Sequence, residues 1–143
     1  MTRRLPLLAA LTFALGCHPL VASTAHRAGS CAAADTYAVN LVAYMTELAT
    51  TTDDSDALAA RQLYHLPKVR QSAVSLVTDD RTCRRAVRAV RGDAALATSR
   101  LARVYVVRVG DVYVVADPEP WAGASKAQLV LDRNFTRVAA VAR

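Results

Sequence analysis

A chain of 143 residues has room for one domain, and a hydrophobic share of 53% suffices for a core built mainly from Val, Leu and Tyr. Eighteen Arg and Lys against twelve Asp and Glu make it basic, and Lys68 and Lys126 are the only lysines. The Ala, Arg and Val bias reads as the composition of a GC-rich genome, and the absence of internal repeats or a low-complexity tail excludes solenoid and fibrous architectures.

The N-terminus carries the clearest functional signal. Arg3 and Arg4 form a short basic region, and Leu5 to Leu15 is an apolar run of signal-peptide length, too short to span a bilayer as a stable helix. Small residues at cleavage spacing follow in Val21-Ala22-Ser23 and Ser23-Thr24-Ala25. Residues 1–23 therefore read as a signal peptide. No later segment is long and apolar enough to span, so the mature protein is expected to be soluble and exported. Ala14-Leu15-Gly16-Cys17 resembles a bacterial lipobox, with Ala14 and Leu15 departing from its usual residues. Cys17 is thus a candidate for lipidation, in which case the leader ends at Gly16. The expected location is the periplasm, the medium or, through that lipid, the cell envelope.

Cysteine arithmetic agrees with export. The chain has three cysteines, Cys17, Cys31 and Cys83. Cleavage discards Cys17 or lipidation consumes it, and either route leaves one pair. An oxidising compartment preserves such a pair, so a Cys31–Cys83 disulfide is expected.

Residues 24–34 are small and polar and read as a tether fastened by Cys31. Asp35–Thr50 predicts a helix with Tyr37, Leu41, Tyr44 or Met45, and Leu48 on one face. Residues 50–54 predict a loop. Ser55–Tyr64 predicts a shorter helix, capped by Asp54 or Ser55, with Leu58, Gln62 and Leu63 along one side and Pro67 as its stop. Ser72–Val77 alternates and predicts a strand with Val74 and Leu76 on one side. Thr78-Asp79-Asp80 then offers caps for a helix running to about Arg91. Its narrow apolar side is Cys83, Val87 and Val90, with Ala86 beside them. Residues 93–99 fit either a loop or a further helical turn.

Arg103–Asp117, RVYVVRVGDVYVVAD, predicts a hairpin closed by Gly110-Asp111. That turn sets Val109 opposite Val112, Val107 opposite Val114 and Tyr105 opposite Ala116 on a wholly apolar face. The other face pairs Arg108 with Tyr113, Val106 with Val115 and Val104 with Asp117, and is mixed. The apolar face is expected to be the floor of the core, with the Cys83 helix as one cover. A long turn, 118–126, carries Trp121, the only tryptophan. Ala127–Asp132 and Phe135–Ala142 predict a second hairpin around Arg133-Asn134, where Asn tolerates the left-handed conformation. The sum is an α+β domain over residues 35–143: two or three helices packed on an antiparallel sheet of four to five strands, with a C-terminal β-meander.

Signatures of chemistry are sparse. His18, His26 and His65 do not form a ligand pair, no Cys-x-x-Cys is present, and Asp53, Asp54 and Asp56 lack the glycine and glutamate of a calcium loop. No metal or cofactor is expected. Gly29-Ser30-Cys31 before a helix resembles the nucleophile placement of papain-like cysteine peptidases, but no histidine follows His65 to act as base. No phosphate loop, dinucleotide fingerprint or nucleophile elbow occurs.

The candidate interaction surface is instead basic and aromatic. Arg81, Arg84, Arg85, Arg88 and Arg91 line the outer side of one predicted helix and suit an anionic surface or an acidic partner protein. Arg108 and Tyr113 on the mixed face join them, as does Trp121, which reads as a contact residue or as a lid over the sheet end. Export argues against nucleic acid as the partner, and membrane contact is expected only through a lipid anchor. The reading is a small exported, non-enzymatic binding or accessory module of unknown ligand. The alternatives are a small secreted hydrolase or a structural envelope lipoprotein.

Overall fold

The glycine-centred hairpin forms in the expected register. In the computed structural model, which describes residues 30–91, 103–116 and 128–141, β3 (Arg103–Val109) pairs antiparallel with β4 (Val112–Ala116). Val109 lies opposite Val112, Val107 opposite Val114 and Tyr105 opposite Ala116. Gly110 takes the positive φ of the loop, +62°, and Asp111 does not. The positive φ favours glycine there, and a Cβ at Gly110 would sit 3.0 Å from the Val69 side chain, which would have to give way.

Four more strands complete one sheet. β5 (Gln128–Leu131) and β6 (Arg137–Val141) continue the antiparallel meander from β4. On the other edge of β3 lies β2 (Val74–Leu76), antiparallel to its C-terminal half. The predicted strand over 72–77 is thus shortened by a turn of 3₁₀ helix at Gln71–Ala73, but it does join the main sheet. Beside β2 on that edge is a strand the composition hid. Ser30–Cys31, within the expected tether over residues 24–34, forms β1, parallel to the start of β3. Two residues are too few to show a period, so only the neighbouring strand reveals it.

Three helices cover the sheet. α1 (Thr36–Thr50) starts at Asp35, whose side chain accepts the Ala38 N–H at 2.9 Å. Leu41, Met45 and Leu48 are buried, as the periodicity predicts, with Ala38 and Ala49 beside them. α2 (Ser55–Leu63) is capped by Asp54, which accepts from Asp56 and Ala57. Its inner face differs from expectation. Ala57 is its one buried residue, while Gln62 and Leu63 are exposed. Small side chains let α2 approach α1 closely, and the apolar area comes from the following Tyr64 and Leu66. The helix ends before Pro67, as expected, and His65 takes a positive φ of 51° in the turn between them. α3 (Asp80–Arg91) starts at Asp79, which accepts the Thr82 N–H at 2.8 Å. Cys83, Ala86, Val87 and Val90 are its buried residues.

The sheet is buried on both faces, a correction to the expected arrangement. α1 covers the apolar face: Leu41, Met45 and Leu48 share a cluster with Tyr105, Val107, Val109, Val114 and Val130. The Cys83 helix covers the opposite, mixed face, where Cys83, Ala86, Val87 and Val90 pack with Val104, Val106, Val115, Leu129 and Leu131. The polar pair Arg108 and Tyr113 dominates the mixed face only when the hairpin is read alone. β5 supplies two leucines beside the valines, and all four β5 residues are buried. Covering both faces is what turns an alternating strand into a continuously buried one.

The second hairpin also differs from expectation. Its loop is 132–136 and its left-handed residue is Phe135, φ 65°, rather than Asn134. Asp132 causes this: one carboxylate oxygen accepts both the Asn134 and Thr136 N–H groups, at 2.8 and 2.9 Å. The carboxylate winds the loop around itself and leaves Phe135 to make the reversal. The α+β class and the C-terminal meander stand as read. The leader, Cys17, residues 93–99 and the Trp121 turn lie outside the described residues.

Candidate functional site

α3 positions the candidate site, and three physical constraints hold it in place. Its four buried residues fix its rotation, Asp79 fixes its start, and Cys83 is covalently bound to Cys31 of β1. The disulfide closes a separation of 52 residues and joins the α3 layer to the sheet edge with a Cα–Cα distance of 5.2 Å. It also disposes of the nucleophile reading, since the Cys31 sulfur is bonded and lies in a strand rather than at a helix N-terminus.

With Cys83 inward, the arginines must face out. At 100° per residue the five fall within an arc of about 120° opposite the buried side. Arg81, Arg84, Arg85, Arg88 and Arg91 are all exposed. Among the described residues, Arg84 is the only one of them with a carboxylate in reach, Asp80 at 3.9 Å, a long and exposed pair of little energetic weight. Asp79 sits at the other side of the helix start. Its carboxyl is held below the usual range, chiefly by the Thr82 backbone N–H, so it serves as a cap.

The structure adds an aromatic anchor. The Arg85 guanidinium lies over the Phe135 ring, 4.3 Å from its centroid. Phe135 in turn stacks on Tyr113, with centroids 4.8 Å apart and planes 16° from parallel. Arg108 is directly opposite Tyr113 in the β3–β4 ladder and folds back to donate from Nε to the Gly110 carbonyl at 2.9 Å. Three of the predicted surface residues, Arg85, Tyr113 and Arg108, thus meet at one end of the sheet face that α3 covers. Sequence reasoning missed Phe135, which joins them. Counting it as the first residue of the last strand pointed it along the ladder, whereas the loop around Asp132 swings it onto Tyr113. Its rarity was the available signal, since the chain has two phenylalanines and the other is Phe13.

Chemically, the cluster offers hydrogen-bond donors on flat cations. Arginine stays protonated at any physiological pH and donates in a planar fork that matches carboxylate and phosphate. A guanidinium held over a ring keeps its edges free for such an anion. The arrangement can bind and neutralise an anion. It supplies neither a base nor a nucleophile.

On the other sheet face the polar groups are spent on structure. The Tyr105 hydroxyl donates to Asp35 at 2.5 Å, and the Tyr64 hydroxyl donates to the buried Gln128 at 2.6 Å. Among the described residues no three His, Cys, Asp or Glu side chains gather as a metal site, and no helix is long and apolar enough to cross a membrane. Compared with protein-family models, with curated proteins and with solved structures, the chain matches none.

Proposed function

We propose that the protein is an exported, non-enzymatic binding or accessory module whose contact face is the arginine side of α3 with the adjoining Arg85–Phe135–Tyr113 stack. The observation that carries this reading is the stack itself. A row of unpaired arginines is common on soluble helices, but a guanidinium seated on two stacked rings is held ready for a partner. The surroundings support it: the helix is disulfide-bonded in place, and among the described residues Asp80 is the only carboxylate within ion-pair reach of its arginines. The apolar leader and the spacing of cysteines support export, with Cys17 as the site of an envelope anchor.

Two measurements test the reading. A C-terminal alkaline phosphatase fusion to the full chain is expected to be active, because that reporter folds only outside the cytoplasm, and a silent fusion argues against export. Affinity capture from envelope and medium fractions is expected to enrich one anionic component with the native chain and to lose it with Arg85→Ala. Capture unaffected by that substitution would move the contact face elsewhere.

A further inference from the structure

We infer that the arginine face of α3 binds the phosphate groups of an anionic phospholipid surface, with Arg85 as its anchor; this rests on the binding-module reading above and names the partner. The membrane contact is made by the folded domain itself, in addition to any lipid on Cys17.

Shape selects a surface over a small enclosed ligand. The five arginines sit on the outside of a helix, and from Arg81 to Arg91 they extend about 15 Å along its axis. Such a ridge can meet several headgroups at once. Arg81, Arg85 and Arg88 follow one another at four and three residues, and Arg84, Arg88 and Arg91 do the same, so two rows converge on Arg88. Four backbone-fixed side chains under the ridge, and the Cys31–Cys83 bond, keep both rows in one orientation.

Charge and chemistry select phosphate. The arc is cationic apart from Asp80 at its edge, which complements a negative surface. Guanidinium forks pair with phosphate oxygens in a bidentate manner that ammonium groups cannot reproduce. At Arg85 the guanidinium already lies over the Phe135 ring, and Phe135 stacks on Tyr113. Little side-chain freedom remains to be lost there on binding. A folded protein partner would call for a broad apolar centre within the contact, whereas the ridge is lined by arginines and its one aromatic pair lies beneath Arg85 at the side.

Cosedimentation of the disulfide-bonded full chain with vesicles tests this. Phosphatidylcholine vesicles containing phosphatidylglycerol are expected to bind it, pure phosphatidylcholine vesicles are not, and added salt should release it. The double substitution Arg81→Gln, Arg88→Gln, at exposed positions, is expected to weaken binding about twenty-five-fold, each arginine being worth about fivefold. Arg85→Lys keeps the charge and loses the stacked fork, and should weaken binding about fivefold. Arg70→Lys, exposed and outside the arginine face, should not. Equal binding by Arg85→Lys and the native chain, or no binding to anionic vesicles at low salt, overturns the inference. Preference for inorganic phosphate alone or for duplex DNA over the vesicles overturns the lipid assignment. In each of those cases an active phosphatase fusion together with capture lost in Arg85→Ala leaves the wider reading intact. A silent fusion with vesicle binding preserved would sink export and leave the lipid site.

Discussion

The Tyr105 hydroxyl on β3 donates to the carboxylate of Asp35 at 2.5 Å, linking residues seventy apart in sequence. Asp35 is also the cap of α1, so one carboxylate ties the first helix to the central strand. Tyr105→Phe is expected to destabilise the protein by about 1 kcal/mol in urea unfolding, the usual worth of one hydrogen bond. An unchanged midpoint would mean that the bond contributes nothing.

The same pair predicts a pH dependence. The Tyr105 hydrogen bond, and then the Ala38 N–H, hold the Asp35 carboxyl below its ordinary 3.8. A depressed folded value stabilises above the unfolded value and is lost as pH falls through the folded one. The thermal-midpoint gap between native protein and Asp35→Asn should therefore shrink below about pH 4. Burial, and then Asp35, push the Tyr105 hydroxyl from 10.0 up to about 12. This contribution is full below the unfolded value and is lost as pH rises through about 12. The phenolate absorbance of the native protein minus that of Tyr105→Phe should place Tyr105 ionisation with the alkaline unfolding step; a difference signal appearing near 10 in the folded protein would contradict the contact.

Covalent closure predicts a large effect on stability. Mass spectrometry without reductant is expected to show no alkylatable thiol at Cys31 or Cys83. In the chain-entropy model a loop of this length is worth about 4 kcal/mol, so Cys31→Ala with Cys83→Ala should unfold at much lower denaturant. Two free thiols in the native protein would refute the bond.

A sheet covered on both sides predicts that both faces resist truncation. Leu48 and Leu129 are each at most 1% exposed and lie in different clusters. Leu48→Ala and Leu129→Ala should each cost about 2–5 kcal/mol. A tolerated Leu129→Ala would mean that α3 does not cover its face.

The hairpin turn predicts a backbone effect. Gly110→Ala places a Cβ at positive φ and against Val69, at an expected cost of about 1–2 kcal/mol for the left-handed conformation. The strand register should survive, as judged by amide exchange of Val107 and Val109. Slippage of that register would show that the turn alone sets it.

How far the chain could be read in advance depended on the range of the interaction. Leu41, Met45 and Leu48, or Cys83, Val87 and Val90, repeat along one helix, and Val107, Val109, Val112 and Val114 alternate across one turn. Those patterns are local, and so the helices, the hairpin register and the inward aim of Cys83 were legible. So was the disulfide partner, because once Cys17 is set aside with the expected leader the two remaining cysteines have one pairing to make. Tertiary structure decided which face each helix covers, because Val106 and Leu129 belong to one cluster only once β5 lies beside β4. It decided that Ser30–Cys31 is a strand, since a two-residue strand exists only through its neighbour. It also decided the aromatic anchor. Asp132 turns Phe135 out of the ladder and onto Tyr113, and α3 then sets Arg85 on its ring. No periodicity encodes a contact among residues 85, 113 and 135, since only the packing of α3 on the sheet brings them together.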